Sequence, residues 1–192
     1  MIVNDHLASY ARLVPWLKPN MLMLGAQRNT SSFRFPCEYQ TLDPDGGDFP
    51  LDLSNDEFHR PEMAFIERHF VTVFDLGTLE HIWDTHAAYV NAARMVAFGG
   101  HFIGQAPIAG WENHAIHITD WRYILEFFQI NGFNVVTWWM TTANGAVIDP
   151  PVVTRNGGKS LLLWYVVKRL RDLGSEPWRK PSQVYTGGVK PS

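Results

Sequence analysis

Three histidines and one glutamate are the side chains of this sequence best suited to moving a proton. An apolar run, Phe70 to Phe74, is followed by the short turn Asp-Leu-Gly. Glu80 and His81 come shortly after this turn. His114 and His117 lie three positions apart in a later polar segment. A neutral imidazole near pH 7 can take a proton from a hydroxyl or an amine. The three histidines are therefore the candidate general bases of this chain.

Each of these side chains also has a structural interpretation. His81 can shape the turn in which it lies, and Glu80 can cap the helix that follows. His114 and His117 can be hydrogen-bonded loop residues, or they can share one face of a helical turn and bind a metal with Glu80 or Glu112. They match no zinc signature of known spacing, so we predict no metal site.

The elements that position these residues follow the order strand, turn, helix, strand. After the strand at Phe70 to Phe74, the pattern predicts a helix over Thr85 to Ala97, a break at Gly99-Gly100 and a strand over His101 to Pro107. Such alternation predicts an α/β fold with a mostly parallel sheet and helices on both faces. Ligands of open α/β sheets bind at the carboxyl ends of strands, so the turn after Phe74 is where chemistry is expected.

Periodicity and turn residues predict the remaining elements. Helices are expected over Ile2 to Leu17, Asn55 to Arg68 and Thr119 to Asn131, the last capped by Thr119. Strands are expected over Met21 to Leu24, Glu38 to Leu42, Leu51 to Leu53, Phe133 to Thr141 and Lys159 to Val167. The last two strands should pair antiparallel at one edge of the sheet.

The composition excludes several classes of protein. The chain has 192 residues, a formal net charge of −3 and one cysteine. This charge gives no general attraction to nucleic acid, and a single cysteine excludes an internal disulfide framework. The sequence shows no secretory signal and no apolar stretch of the roughly 20 residues that a membrane helix needs. We therefore expect a soluble cytoplasmic protein that binds neither nucleic acid nor membrane.

The last part of the chain differs in composition from the rest. We expect one domain over residues 1–168 and a Pro- and Arg-rich segment over residues 169–192. This segment has too few apolar side chains to form a core of its own. It is either a mobile tail or an arm laid on the domain or on a neighbouring molecule, with Trp178 and Tyr185 as anchors. An arm on a neighbour would make the protein a homo-oligomer.

A glycine and an aspartate end the first two predicted strands. Gly25 lets the backbone turn closely beneath a ligand, and the Asp43 carboxylate can accept both hydroxyls of a ribose. Their separation is close to the spacing of about 20 residues found in dinucleotide-binding folds. The segment Asp43-Pro44-Asp45-Gly46 is also favourable turn chemistry without any ribose.

The segment from Phe74 to Asp84, with its Leu-Glu-His-Ile turn, and the later Gly99-Gly100 resemble the fourth and fifth motifs of class I S-adenosylmethionine-dependent methyltransferases, of the type 11-like kind. Leu22 to Gln27 resembles the first motif of that family. The resemblance implies a Rossmann-like sheet ending in an antiparallel strand pair, with S-adenosyl-L-methionine as the cofactor. The implied cofactor-binding residues are Gly25, Ala26, Gln27, Asp43, Asp52, Leu53, Leu76, Gly77 and Thr78.

The resemblance implies methyl transfer to an oxygen or nitrogen of a small molecule or a sugar, with His81, His114 and His117 around the acceptor. The first motif departs from the family pattern, because Met23 stands where an acidic residue is usual and Gln27 where a second glycine is usual. The alternative is therefore a non-catalytic methyltransferase-like scaffold or structural subunit. A nicotinamide-dependent oxidoreductase is disfavoured, because the turn after the first strand lacks the further glycines of a phosphate-binding loop.

Overall fold

Seven strands form one mixed sheet in the computed structural model, which describes residues 7–25, 35–54, 64–111, 115–148, 160–173 and 176–181. The strands are β1 (Met21–Leu24), β2 (Tyr39–Leu42), β3 (Phe70–Leu76), β4 (Val96–Ala109), β5 (Phe133–Thr142), β6 (Val147–Ile148) and β7 (Leu161–Arg169). Their order in the sheet is β2-β1-β3-β4-β7-β5-β6. The first four of that order are parallel, and each later pairing is antiparallel. The predicted Rossmann-like α/β fold and its antiparallel C-terminal strand pair are confirmed.

Helices cover both faces of the sheet. The helical segments are α1 (Leu7–Leu13), α2 (Thr85–Arg94), α3 (Trp121–Ile130) and two 3-10 helices, Val14–Trp16 and Leu79–His81. Alternate side chains of a strand point to opposite faces, so Val73 packs in the apolar layer under α2 and α3 whereas Phe74 packs in the layer under α1. None of the described helices combines the length and the apolar character needed to cross a bilayer.

Two predicted elements between β2 and β3 differ from the structure. Residues 51–53 do not form a strand, because the Asp52 carboxylate accepts hydrogen bonds from both the amide and the hydroxyl of Ser54 and bends the chain into a turn. The helix predicted over residues 55–68 begins outside the described ranges. Its described part, residues 64–68, forms turns. Local hydrogen bonding at Asp52 therefore overrides the alternation of apolar residues.

The prediction that Gly99 and Gly100 separate a helix from a strand is wrong. β4 begins at Val96 and contains both glycines, where its pairing with β3 is irregular. A Cβ atom at Gly100 would lie 2.7 Å from the carbonyl oxygen of Val71. The lack of a side chain at Gly100 allows the backbones of β3 and β4 to approach this closely. Gly99 and Gly100 therefore mark a bulge within the long strand β4.

The helix ends are set by capping side chains and by proline. Asp84 and Asp120 each accept a hydrogen bond from an amide in the first turn of α2 and α3. The predicted cap at Thr119 is therefore wrong by one residue.

Of the helix predicted over residues 2–17, residues 2–6 lie outside the described ranges. α1 ends at Leu13, and the chain tightens into a 3-10 turn at Pro15, which lacks the amide hydrogen of a regular helix.

The chain after residue 168 lies on the domain wherever it is described. Arg169 is buried, and its guanidinium donates a hydrogen bond to the Val96 carbonyl at 2.6 Å. Trp178 stacks on Phe127 of α3, with ring centroids 6.1 Å apart. The other expected anchor, Tyr185, lies outside the described residues. Trp178 therefore contacts its own domain.

Gly104 leaves space for a large ring in the middle of the sheet. It pairs with Asp75 of β3 on one side and with Tyr165 of β7 on the other. A Cβ atom at Gly104 would lie 2.2 Å from Cζ of Tyr165, so the tyrosine ring fills the space that a side chain would need. Glycine at this position is what lets Tyr165 lie flat against β4, close to Asp75.

Replacing Gly104 with Ala should lower the free energy of unfolding by about 1–3 kcal/mol, because the added methyl group collides with a buried ring. Urea denaturation of the purified variant measures this change. The same substitution in a Tyr165→Leu background should cost less, since the colliding atoms are gone. An equal cost in both backgrounds would contradict the steric explanation.

Candidate functional site

The carboxyl ends of β1 and β3 form the switch point of the sheet. From β1 the chain continues to β2 on one side, and β3 then pairs on the other side. Gly25 follows β1 with a φ of +64°, and its amide donates to the Leu42 carbonyl of β2 at 2.8 Å. Gly77 follows β3 with a φ of +82°. Ligands of open α/β sheets bind at such switch points, so both glycine turns lie where a ligand is expected.

Thr78 connects the two glycine turns. Its hydroxyl donates a hydrogen bond to the Leu24 carbonyl at 3.1 Å. A Cβ atom at Gly25 would lie 2.2 Å from Oγ1 of Thr78. The glycine at position 25 is therefore required by the packing of Thr78, whether or not a ligand lies above it.

The two aspartates predicted to bind the cofactor have different surroundings. Asp43 is half-buried after β2, and its Oδ1 accepts a hydrogen bond from the Asp45 amide at 2.8 Å. Its Oδ2 accepts no hydrogen bond from the described residues, so one carboxylate oxygen is available to a hydroxyl. Asp52 is exposed, and its Oδ1 already accepts two hydrogen bonds from Ser54.

The other predicted cofactor-binding residues divide into three groups. Leu53 is buried, and its carbonyl accepts a hydrogen bond from the side-chain amide of Asn91 at 2.8 Å. Leu76 is half-buried at the end of β3, beside the switch point. Ala26 and Gln27 lie outside the described residues. Leu76 is thus close to the crevice, whereas the Leu53 side chain belongs to the core.

A buried pair of acidic residues lies at the end of β3, beside this switch point. Asp75 is fully buried, and its Oδ1 accepts a hydrogen bond from the Thr78 amide at 2.9 Å. Glu80 is 6% exposed. Asp75 Oδ2 and Glu80 Oε2 are buried and accept no hydrogen bond from the described residues. Two carboxyl groups with unsatisfied oxygens in an apolar layer are costly unless they bind protons or a cation.

Burial raises the pKa of both acids. The pKa of Asp75 rises to about 7, chiefly because the carboxylate is removed from water and despite its hydrogen bond from Thr78. The pKa of Glu80 rises to about 8, first through burial and then through the nearby charge of Asp75. The pair therefore holds a proton near neutral pH.

Sequence reasoning singled out Glu80 but missed Asp75. Asp75 lies inside an otherwise apolar strand, and a charged residue within such a run is the signal that could have found it. Its position opposite Gly104 also brings it close to the Tyr165 ring. The strand periodicity alone did not show that this carboxyl group faces the core.

Gly77 brings a second polar side chain close to Glu80. A Cβ atom at Gly77 would lie 2.9 Å from Oε1 of Glu80 and 3.8 Å from Oε1 of Gln105. Gln105 lies on β4 in register with Leu76. Two acceptor oxygens therefore lie on the same side of the Gly77 α-carbon, at the carboxyl ends of adjacent strands.

The structure brings two of the three predicted histidines to Glu80. His81 is exposed, and its Nε2 lies 3.9 Å from Oε1 of Glu80. The His117 amide donates to the Glu80 carbonyl at 3.0 Å. Its ring Nε2 is 2.8 Å from the Trp83 carbonyl, which can only accept, so Nε2 carries the hydrogen and Nδ1 is the proton acceptor of the neutral ring.

The third predicted histidine, His114, lies outside the described residues. Within the described ranges, no three His, Cys, Asp or Glu side chains are grouped as a metal ion would require. The backbone of His117 joins the loop after β4 to the Leu79–His81 turn that follows β3, so His81 and His117 lie in two loops that contact each other.

Solved structures of low sequence identity share this fold. An S-adenosylmethionine-dependent methyltransferase from Mesorhizobium loti has a TM-score of 0.55 at 13% identity, over 86% of this chain and 98% of that chain. A 1,6-didemethyltoxoflavin N1-methyltransferase from Burkholderia thailandensis, with bound S-adenosylhomocysteine, has a TM-score of 0.56 at 13% identity, over 88% and 80%. The cyclase SpnF has a TM-score of 0.57 at 11% identity, over 88% and 82%.

The chain therefore has the Rossmann-like fold of class I methyltransferases. No protein-family description and no curated protein matches it. Identities this low show the shared fold alone, and the solved structures include enzymes of different reactions. The reaction of this chain must be argued from its own residues.

The acidic pair should make stability fall as the pH rises. Between about pH 4 and pH 8 the folded protein holds protons on Asp75 and Glu80 that the unfolded chain has released, so ionisation favours unfolding. Tyr89, Tyr165 and His81 are the other titratable groups near the pair. We predict that the free energy of unfolding decreases more steeply over this range in the unsubstituted protein than in the Glu80→Gln variant.

Urea denaturation at a series of pH values measures both slopes. Asp84→Asn is the matched control, because it removes an exposed carboxylate of the same segment and leaves a capping side chain in place. Its slope should equal that of the unsubstituted protein. Identical slopes for all three proteins would contradict the burial of an ionisable pair.

Proposed function

We propose that this chain is an S-adenosylmethionine-dependent methyltransferase that acts on an oxygen or nitrogen of a small molecule or a sugar. The observation that carries the proposal is the switch point, where the Gly25 turn is bonded to the end of β2 beside Asp43 and the Gly77 turn follows the neighbouring β3. Asp43 keeps one carboxylate oxygen without a hydrogen bond from the described residues. A cofactor with a ribose fits this edge, because its two hydroxyls need an acceptor beside a close backbone turn. The motif in residues 74–84 favours the type 11-like branch of the family.

Different residues of the chain would bind the cofactor and accept the proton during methyl transfer. The cofactor supplies a methyl group on a positively charged sulfur. Asp43 would hold the ribose, and the Gly25 turn would let the backbone approach it. His81 and His117 would accept the proton of the acceptor, with Nδ1 of His117 as the free ring nitrogen. The net charge of −3 favours a small acceptor over a nucleic acid.

A non-catalytic scaffold is the second candidate, and Thr78 favours it. The Thr78 side chain packs directly on Gly25 and thereby uses part of the space that a close ligand would use. A protein of this kind would keep the fold and bind no adenosyl ligand. Calorimetric titration with S-adenosylhomocysteine separates the two candidates, since only the enzyme should give saturable heat.

The expected partners and location remain predictions. Self-association through residues 169–192 and a cytoplasmic location follow from the sequence composition alone. Trp178 packs on its own domain, so an arm that reaches a neighbour would begin beyond it.

Asp43→Asn should weaken the binding of S-adenosylhomocysteine about tenfold or more, because a charged acceptor of the ribose hydroxyls is lost. The asparagine oxygen can still accept the Asp45 amide, so the turn is kept. Asp45→Asn is the matched control, as it removes an exposed charge from the same turn. Isothermal titration calorimetry should show its affinity within about twofold of the unsubstituted protein. Equal affinities for both variants would contradict the assignment of Asp43.

Ala substitutions of His81, His114 and His117 should lower methyl transfer and leave the affinity for S-adenosylhomocysteine nearly unchanged. The acceptor is first found by screening amines, hydroxylated small molecules and sugars with methyl-labelled cofactor. Loss of a general base typically lowers the rate by about 10²–10⁴-fold. Full rates in all three variants would show that these histidines do not act as bases.

A further inference from the structure

Two side-chain acceptors, from the Leu79–His81 turn and from β4, face the Gly77 turn. Glu80 Oε1 and Gln105 Oε1 lie 2.9 Å and 3.8 Å from the position of an added Cβ atom at Gly77. Asp75 is fully buried nearby and has one oxygen without a hydrogen bond from the described residues. Two acceptors that face the same turn, one of them from a carboxyl group, suit a cationic group that donates several hydrogen bonds.

No Lys or Arg in the part of the chain that the structure describes belongs to this cluster. Among the described residues, no Lys or Arg forms an ion pair with Asp75 or Glu80, and His81 lies 3.9 Å from Glu80 at the exposed rim. The four residues of β1 are all apolar, so β1 itself offers no carboxylate. A buried acidic pair without a cation retains a proton in the free protein and can exchange it for a bound cation.

We propose that Glu80 and Gln105 bind an ammonium group, namely the α-ammonium of the methionine part of the cofactor. This inference rests on the proposed function, which places the cofactor at the same edge. The Gly77 turn leaves the approach to Glu80 Oε1 free of a side chain. Binding would release the proton held by Glu80 to solvent, so that the Glu80 carboxylate pairs with the ammonium.

The test compares two ligands that differ in the amino-acid part. S-adenosylhomocysteine carries the α-ammonium, whereas 5′-methylthioadenosine keeps the adenosine and the sulfur and lacks it. Isothermal titration calorimetry of the full chain should show that Glu80→Gln weakens S-adenosylhomocysteine at least about tenfold and changes methylthioadenosine less than about twofold. Asp84→Asn, which removes an exposed charge close by, should leave both affinities unchanged.

Each other outcome has a definite meaning. Unchanged affinity of Glu80→Gln for S-adenosylhomocysteine, or an equal loss for both ligands, overturns the ammonium site and leaves the methyltransferase proposal standing. Retained binding of methylthioadenosine by the variant shows that it is folded. If the unsubstituted chain binds neither ligand, the proposed function falls and this inference falls with it.

Discussion

A short series of hydrogen bonds fixes the end of β3 against β1. The buried Asp75 carboxyl group accepts the Thr78 amide, and the Thr78 hydroxyl donates to the Leu24 carbonyl. Because Asp75 is fully buried, a change in this turn would leave a polar group unpaired in an apolar layer. Gly25 gives Thr78 the room that it needs, and Gly77 allows the reversal of the chain. The position of the Leu79–His81 turn depends on these contacts.

Much of this arrangement could be predicted from the sequence. Apolar runs that end at Gly25 and at Asp-Leu-Gly are local signals, and the rules for α/β sheets convert their order into a parallel sheet with a crevice. The errors have physical causes. Residues 51–53 were expected to form a strand and form a turn instead, because the amide and the hydroxyl of Ser54 both donate hydrogen bonds to the Asp52 carboxylate. The sequence predicted a break between a helix and a strand at Gly99-Gly100. These glycines instead lie inside β4, where Gly100 closely approaches the backbone of Val71.

The acidic pair shows where sequence reasoning stops. An aspartate at the end of an apolar strand can face solvent or core, and only the packing of Tyr165 against Gly104 shows which side it takes. The grouping of His81 with His117 was an expectation from the resemblance. The hydrogen bond from His117 to Trp83, which selects the ring nitrogen that can accept a proton, required coordinates.

The fold itself leaves the reaction open, because solved structures that share it include methyltransferases and a cyclase. Open α/β sheets bind ligands at one edge, and the chemistry there depends on few side chains. In this chain those side chains are a half-buried aspartate, a buried acidic pair and two histidines from neighbouring loops. Under the proposed function, these side chains would serve a cationic cofactor and an acceptor that loses a proton.

The most direct test of the central claim is a crystal structure of the chain grown with S-adenosylhomocysteine. The account predicts ligand density over Gly25, with the ribose hydroxyls within hydrogen-bond distance of Asp43 and the sulfur near Leu76. Density at another surface, or an empty crevice at saturating ligand, would contradict it.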